Sequence, residues 1–168
     1  MTRARASDSA FARMISPDRS KDTASENSPA AREIVRRLIT SRPPNAKRGD
    51  TAARAAASAC DNLYRELSRW VGADGCHALF IRALAETRPD QPALEKILLH
   101  PKSEAYIDGI ADSIMAYGDP EAARALESVL VRLVELLGRL IGDDMAGKLI
   151  DRTFGDSRHG SEDTREEA

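Results

Sequence analysis

Aromatic residues are scarce in this sequence. One Trp, three Tyr and three Phe make up 4% of the 168 residues, although 42% of all residues are hydrophobic. A core of this composition must be filled mainly by Ala, Leu, Ile and Val. The scarcity favours a helical bundle and argues against a β-sandwich, whose strands are rich in aromatic and β-branched residues.

Cysteine is also rare. Cys60 and Cys76 are the only two, and each lies on the apolar face of a predicted helix. Two thiols do not make the disulfide framework of a small secreted protein, so we expect a reducing, cytoplasmic environment. Both are predicted to be core residues, and whether they touch across a helical hairpin stays open.

Long hydrophobic runs and a strong excess of one charge are missing too. Charged residues interrupt the most apolar stretch, residues 126–141: Glu127, Arg132, Glu135 and Arg139. That stretch is too short and too charged for a membrane span, and the N-terminus has no apolar region of a secretory signal. Lys plus Arg total 25 against 27 for Asp plus Glu, so the net charge of -2 gives no general attraction to nucleic acid.

The sequence does contain helical periodicity between residues 28 and 155. Apolar residues recur there at spacings of three and four, in segments separated by Gly, Pro and capping residues. The polar composition of residues 1–27 and of the acidic residues 156–168 predicts two flexible tails. We therefore predict an all-α protein, a single compact bundle of about six to seven helices in one domain over residues 28–155.

Start and stop signals place most of these helices. Ser28 and Pro29 begin the first, which the prolines at 43 and 44 end. The second begins after Asp50 or Thr51 and ends at Gly72; its alanines near residue 53 predict close approach of another helix. The third ends near residue 87. A short fourth helix is predicted to begin at 92 and a fifth at 103, the latter weakened by the glycine at 109.

The longest predicted helix begins at Asp119 and ends at Ile141. Between Ala123 and Ile141 its apolar residues cover most of the circumference, so it is either central in its own chain or half covered by a second molecule. Its candidate core or interface residues are Leu126, Leu130, Leu133, Leu137 and Leu140. This pattern favours a homodimer, and a last helix is predicted from residue 143 to 155.

Candidate contacts for a small molecule are His77, His100 and Trp70. His100 ends an apolar segment, which suits a haem ligand, although interaction with a helix C-terminus explains it equally well. Trp70 is expected to close the end of the bundle, with ligand stacking as the alternative. His77 follows Cys76, but adjacent helical side chains diverge, so they do not predict a nucleophile and base. We predict no cofactor, no metal site and no catalytic residue.

Positive charge is concentrated in residues 32–54. The basic residues are Arg32, Arg36, Arg37, Arg42, Lys47, Arg48 and Arg54, offset by Glu33 and Asp50 alone. Arg32 and Arg36 are one helical turn apart and could meet phosphate or an acidic partner. A solvated helix face is the favoured interpretation, because no helix-turn-helix or aromatic platform accompanies the charge.

The functional hypothesis rests on elimination. We hypothesise a non-catalytic, cytoplasmic interaction or regulatory module, such as a bacterial signalling component, that binds a protein partner. One alternative is a small-molecule or haem-type sensor with a pocket between helices. Another is a weak nucleic-acid binder that uses the basic residues 32–54. An enzyme is the least supported class, because the sequence does not assemble a nucleophile, a base and a stabilising group.

Overall fold

The computed structural model describes residues 28–40, 51–103 and 105–155. The helices in these ranges are α1 (Pro29–Thr40), α2 (Ala52–Val71), α3 (Ala73–Thr87), α4 (Ile110–Tyr117), α5 (Asp119–Ile141) and α6 (Asp143–Gly155). A two-stranded antiparallel hairpin, β1 (Leu98–Leu99) and β2 (Ile107–Asp108), lies between α3 and α4. The prediction of an all-α helical bundle is therefore confirmed. The predicted tails, residues 1–27 and 156–168, lie outside the described residues.

Helix α5 is the centre of the fold. It packs against each of the other five helices in the described ranges. Leu126, Leu130, Leu133 and Leu137 are each no more than 1% exposed. The apolar circumference of this helix is thus covered by its own chain over most of its length. Among these six helices, none combines the length and the apolarity needed to cross a membrane.

Two of the charged residues that interrupt α5, Arg132 and Glu135, have partners in the chain. Arg132 pairs with Glu86 of α3 and with Glu135, at 2.9 Å from the latter. Glu135 in turn accepts a hydrogen bond from the backbone N–H of Ser28 (2.8 Å), just before α1. These contacts compensate polar groups that are largely shielded from water, as partly buried charges require. The same contacts connect α1, α3 and α5.

Helices α2 and α5 begin side by side. The Asp119 carboxylate accepts hydrogen bonds from the backbone amides of Ala52 and Ala53, both at 3.1 Å. Below this contact Ala53 is buried against Ala122 and Ala123, so small side chains allow the close approach that the alanines predict. Asp119 begins α5 as predicted, but its side chain satisfies free amides at the start of α2 rather than those of its own helix.

The prediction of two helices between residues 92 and 114 is wrong in part. A single 3₁₀ turn (Pro92–Leu94) replaces the short helix, and the hairpin occupies the start of the expected fifth helix, which begins only at Ile110. Gly109 explains the late start: its φ is +83°, and a side chain there would overlap the carbonyl group of Lys96. The hairpin is held by tertiary contacts that local periodicity cannot reveal.

Candidate functional site

Tyr106 connects more elements than any other polar residue near the hairpin. Its hydroxyl group forms a hydrogen bond with Nδ1 of His77 on α3 (2.9 Å). Its backbone carbonyl accepts a hydrogen bond from the backbone N–H of His100 (2.8 Å), and its ring stacks on Tyr64 of α2 with centroids 3.7 Å apart. Of the three predicted ligand contacts, His77 thus binds this tyrosine through its imidazole, whereas His100 binds it through its backbone N–H alone.

Asp61 of α2 holds this tyrosine in place. One oxygen of its carboxylate accepts hydrogen bonds from the backbone amides of Tyr106 (3.0 Å) and Ile107 (2.9 Å). Burial raises the pKa of Asp61, and these two hydrogen bonds act in the opposite direction. The carboxylate satisfies amides that would otherwise be left without a partner at the start of β2. Asp61 therefore fastens the hairpin to α2.

The aromatic rings around Tyr106 form a compact cluster. Phe80 of α3 meets both tyrosines edge to face, at 5.0 Å from Tyr106 and 5.9 Å from Tyr64. Burial is the main factor that raises the pKa of each tyrosine, so both hydroxyl groups stay neutral at physiological pH. The Tyr64 hydroxyl is buried and has no hydrogen-bond partner among the described residues. The cluster is a packing unit that joins α2, α3 and the hairpin.

Both cysteines are free and buried beside this cluster. Burial raises the pKa of Cys76 to about 12 and also raises that of Cys60, so neither is a thiolate at neutral pH. The Cys76 thiol faces the backbone carbonyl of Tyr64 (3.7 Å), whereas the adjacent His77 binds Tyr106. The two neighbours therefore have different partners, as helical spacing predicts, and do not form a nucleophile and base.

The remaining predicted contacts do not converge. His100 lies on the hairpin with Nε2 at 3.7 Å from the carboxylate of Asp108. Trp70 is 60% exposed at the end of α2, so the expectation that it closes the bundle end is wrong. Among the described residues, no group of three or more His, Cys, Asp or Glu side chains is placed to hold a metal ion. The imidazoles of His77 and His100 thus have different partners, Tyr106 and Asp108, and Trp70 is exposed to solvent.

The basic residues of α1 are partly neutralised by neighbours. Glu33 pairs with both Arg36 (2.8 Å) and Arg37 (3.3 Å), and Arg37 also lies 3.9 Å from Asp151 of α6. Arg32 and Arg54 are exposed. Arg42, Lys47 and Arg48 lie outside the described residues. Within the described part of the cluster, ion pairs reduce the positive field available to an anion.

An exposed apolar surface surrounds the junction of α5 and α6. Leu140 is 65% exposed, Met145 58% and Ile141 37%, within six consecutive residues. Leu140 is the only one of the five candidate leucines on the surface. The exposed side chains of Arg139 and Asp144 flank these residues, and no ion pair within the described part of the chain neutralises either charge. We give the name α5–α6 corner to the five residues Arg139, Leu140, Ile141, Asp144 and Met145.

Comparison with known proteins does not identify a family for this chain. None of the protein-family models, curated proteins or solved structures compared with this chain matches it. The functional argument therefore rests on the residues themselves.

Other exposed apolar side chains are more scattered. Met115 is 82% exposed and Tyr117 39% exposed on α4. Residues two positions apart point to different sides of a helix, so this pair does not form one surface. Ile81 on α3 and Leu98 on β1 are exposed on separate elements. In the described ranges, the corner is where three large apolar side chains are exposed together.

The two residues that organise the hairpin are not apparent from the sequence. Tyr106 lies in the segment where the fifth helix was predicted to begin, and Asp61 was given no role. The only local signal was an acidic residue inside an otherwise apolar helical face, between Cys60 and Leu63. A carboxylate next to buried positions needs hydrogen-bond donors, and here two backbone amides of the hairpin provide them.

Proposed function

We propose that this chain is a non-catalytic interaction module that binds a protein partner through the α5–α6 corner. The observation that carries the proposal is the exposure of Leu140, Ile141 and Met145 together, beside a core that is otherwise closed. Large apolar side chains that share one surface and are rimmed by charge are typical of protein contacts. A regulatory or signalling role in the cytoplasm, as hypothesised from the sequence, is compatible with such a module and is part of this proposal.

Most apolar residues of α5 are buried in this chain and are therefore not available as a contact surface. The core of this chain contains Leu126, Leu130, Leu133 and Leu137. If these side chains formed an interface instead, the core would lose them. Their substitution would unfold the protein before it revealed a partner. Leu140 and Met145 are accessible without any rearrangement, so they are the residues through which a preformed surface would bind.

Site-specific photo-cross-linking in the native cells tests this proposal. A photoreactive amino acid replaces Leu140 in one variant and Met115 in the other, since both positions are exposed on helices. We expect a discrete protein adduct from position 140 and none from position 115. No adduct from position 140, or the same adducts from both positions, would contradict a partner at the corner.

The sensor alternative is less well supported by the geometry. The His77 imidazole is already engaged with the Tyr106 hydroxyl group, the His100 imidazole lies near the carboxylate of Asp108, and Trp70 is exposed to solvent. A visible absorption band in freshly purified protein would nevertheless favour a haem-type sensor over the interaction module. Nucleic-acid binding is weakened as a hypothesis by the pairing of Arg36 and Arg37 with Glu33, and a steep loss of binding with salt would be its signature.

A further inference from the structure

We infer that the partner at the α5–α6 corner is a second copy of this chain, related by a two-fold axis. This inference rests on the proposed function and adds the identity of the occupant. A two-fold contact uses the same surface on both molecules, so that surface must be complementary to itself. The corner meets this condition because it carries an apolar centre and one charge of each sign, Arg139 and Asp144, neither of which has an ion-pair partner among the described residues.

The apolar centre lies in the turn between the two helices. Leu140 and Ile141 end α5, Gly142 makes the turn, and Met145 lies in the first turn of α6. All three side chains are at least 37% exposed, so each can be covered without disturbing the core. In a two-fold pair the three residues of one copy would meet the same three residues of the other, and water would be excluded from both.

One exposed charge of each sign is adjacent in sequence to the apolar residues of this centre. Arg139 precedes the apolar residues of α5, and Asp144 precedes Met145 at the start of α6. Asp143 is unsuitable for the same role because its carboxylate packs over Gly138. In the two-fold pair that we infer, Arg139 of each copy meets Asp144 of the other, and the symmetry makes the two ion pairs equivalent. Such charges select the register of the contact more than they strengthen it.

The size of the corner predicts a weak dimer. Five residues per copy are few compared with the roughly 20–30 residues a side of a stable protein complex. The dimer is therefore expected to form in a concentration-dependent manner and to exchange rapidly with monomer. This expectation makes the state of association at several concentrations the decisive measurement.

Sedimentation equilibrium of the purified full-length chain over a wide concentration range is the test. We expect a reversible monomer–dimer equilibrium that Leu140→Asp combined with Met145→Asp weakens about tenfold or more. Met115→Asp is the matched control, because it places the same charge at an even more exposed methionine. It is expected to leave the equilibrium unchanged, and far-UV circular dichroism checks that every variant stays folded. A chain that is monomeric at all concentrations would overturn the inference.

Charge reversal tests the two-fold pairing itself. Arg139→Glu and Asp144→Arg should each weaken the dimer, and the double variant should restore it. Both native charges also suit the helix ends on which they lie, so reversal costs helix stability in each single variant. Those costs would add in the double variant, whereas an ion pair between copies would be restored. A double variant that dimerises no better than the single ones would overturn the pairing.

The cross-linking experiment at position 140 separates this inference from the proposed function. A cross-link between two copies of the chain supports both. A cross-link to a different protein keeps the interaction module but overturns the homodimer, and a cross-link within one chain overturns both.

Discussion

Tyr106 and Tyr64 stack on each other, but their hydroxyl groups differ in one respect. The Tyr106 hydroxyl binds His77, whereas the Tyr64 hydroxyl is buried without a partner among the described residues. A satisfied hydrogen bond stabilises a fold modestly, and an unsatisfied buried polar group destabilises it. The two residues therefore offer a matched comparison of the same chemical change in one cluster.

We predict that Tyr106→Phe lowers the free energy of unfolding by about 1 kcal/mol, because it removes the bond to His77 and leaves the ring stack intact. Tyr64→Phe is the control and is expected to be neutral or slightly stabilising, because the Tyr64 hydroxyl group that it removes has no hydrogen-bond partner among the described residues. Urea unfolding followed by circular dichroism measures both. Equal losses in the two variants would contradict the role assigned to the His77 contact.

Gly109 occupies a backbone conformation that other residues rarely adopt. Its φ is +83°, and an added Cβ would overlap the carbonyl oxygen of Lys96. We predict that Gly109→Ala lowers the free energy of unfolding by about 2 kcal/mol or more, because both strain and overlap must be relieved. Thermal and urea unfolding would measure this loss.

Gly75 is the matched control for that substitution. It lies exposed in the first turn of α3, and nothing is within 4 Å of a Cβ added there. Gly75→Ala should stabilise the protein by about 0.5–1 kcal/mol, since it lowers the entropy of the unfolded chain. If Gly109→Ala were tolerated equally well, the hairpin would not require the conformation described.

At the scale of elements, the contact between α2 and α5 depends on one carboxylate. Asp119 belongs to α5 but accepts hydrogen bonds from the first amides of α2. The hydroxyl group of Thr51 and, to a smaller extent, the Ala53 and Ala52 amides lower the pKa of Asp119. A group whose folded pKa is depressed stabilises the fold above its unfolded pKa of about 4 and loses that effect as pH falls through its folded pKa.

We therefore predict that Asp119→Ala costs about 1 kcal/mol of stability at neutral pH, as the loss of a helix cap does. The difference from the wild-type protein should shrink as pH falls from about 4, the unfolded pKa, through the lower pKa of the folded carboxylate, below which that carboxylate is protonated. Urea unfolding at several pH values provides the measurement. Asp112→Ala, at an exposed aspartate of α4, is the control and should show a small difference at every pH. A pH-independent loss at Asp119 would show that shape rather than charge stabilises this junction.

At the scale of the whole molecule, α5 is both the core and one edge of the proposed contact. Leu137 is fully buried, whereas Leu140, one turn further along the same helix, is 65% exposed. We predict that Leu137→Ala lowers the free energy of unfolding by about 2–5 kcal/mol, because it leaves a cavity. Leu140→Ala should change it by no more than about 0.5 kcal/mol in dilute, monomeric protein.

Urea unfolding at low protein concentration would measure the two leucine variants. A large loss at Leu140 under these conditions would mean that this residue supports the fold of a single chain. The corner would then be a structural feature, and the proposed contact would lose its main argument.

Much of the architecture could be predicted from local patterns. Helices α2 and α5 begin and end within a residue or two of their predicted bounds, because capping residues, proline and glycine act through neighbours in sequence. The sequence allowed two positions for α5: central in its own chain, or half covered by a second molecule. Apolar periodicity records that a side chain avoids water, and it does not record whether its own chain or another molecule covers it.

The sequence by itself determined the fold class and the order of most helices, since these follow from periodicity and from local start and stop signals. It also indicated that Leu126, Leu130, Leu133 and Leu137 avoid water, whereas the tertiary structure decided that their own chain covers them. Tertiary structure alone decided the hairpin, the meeting of Asp61 and His77 at Tyr106, and the use of Asp119 at the start of a different helix. The polar contacts of His77, Asp61 and Asp119 each join residues at least 29 positions apart. Such contacts depend on how the helices pack against one another, and that arrangement exists only once the core has formed.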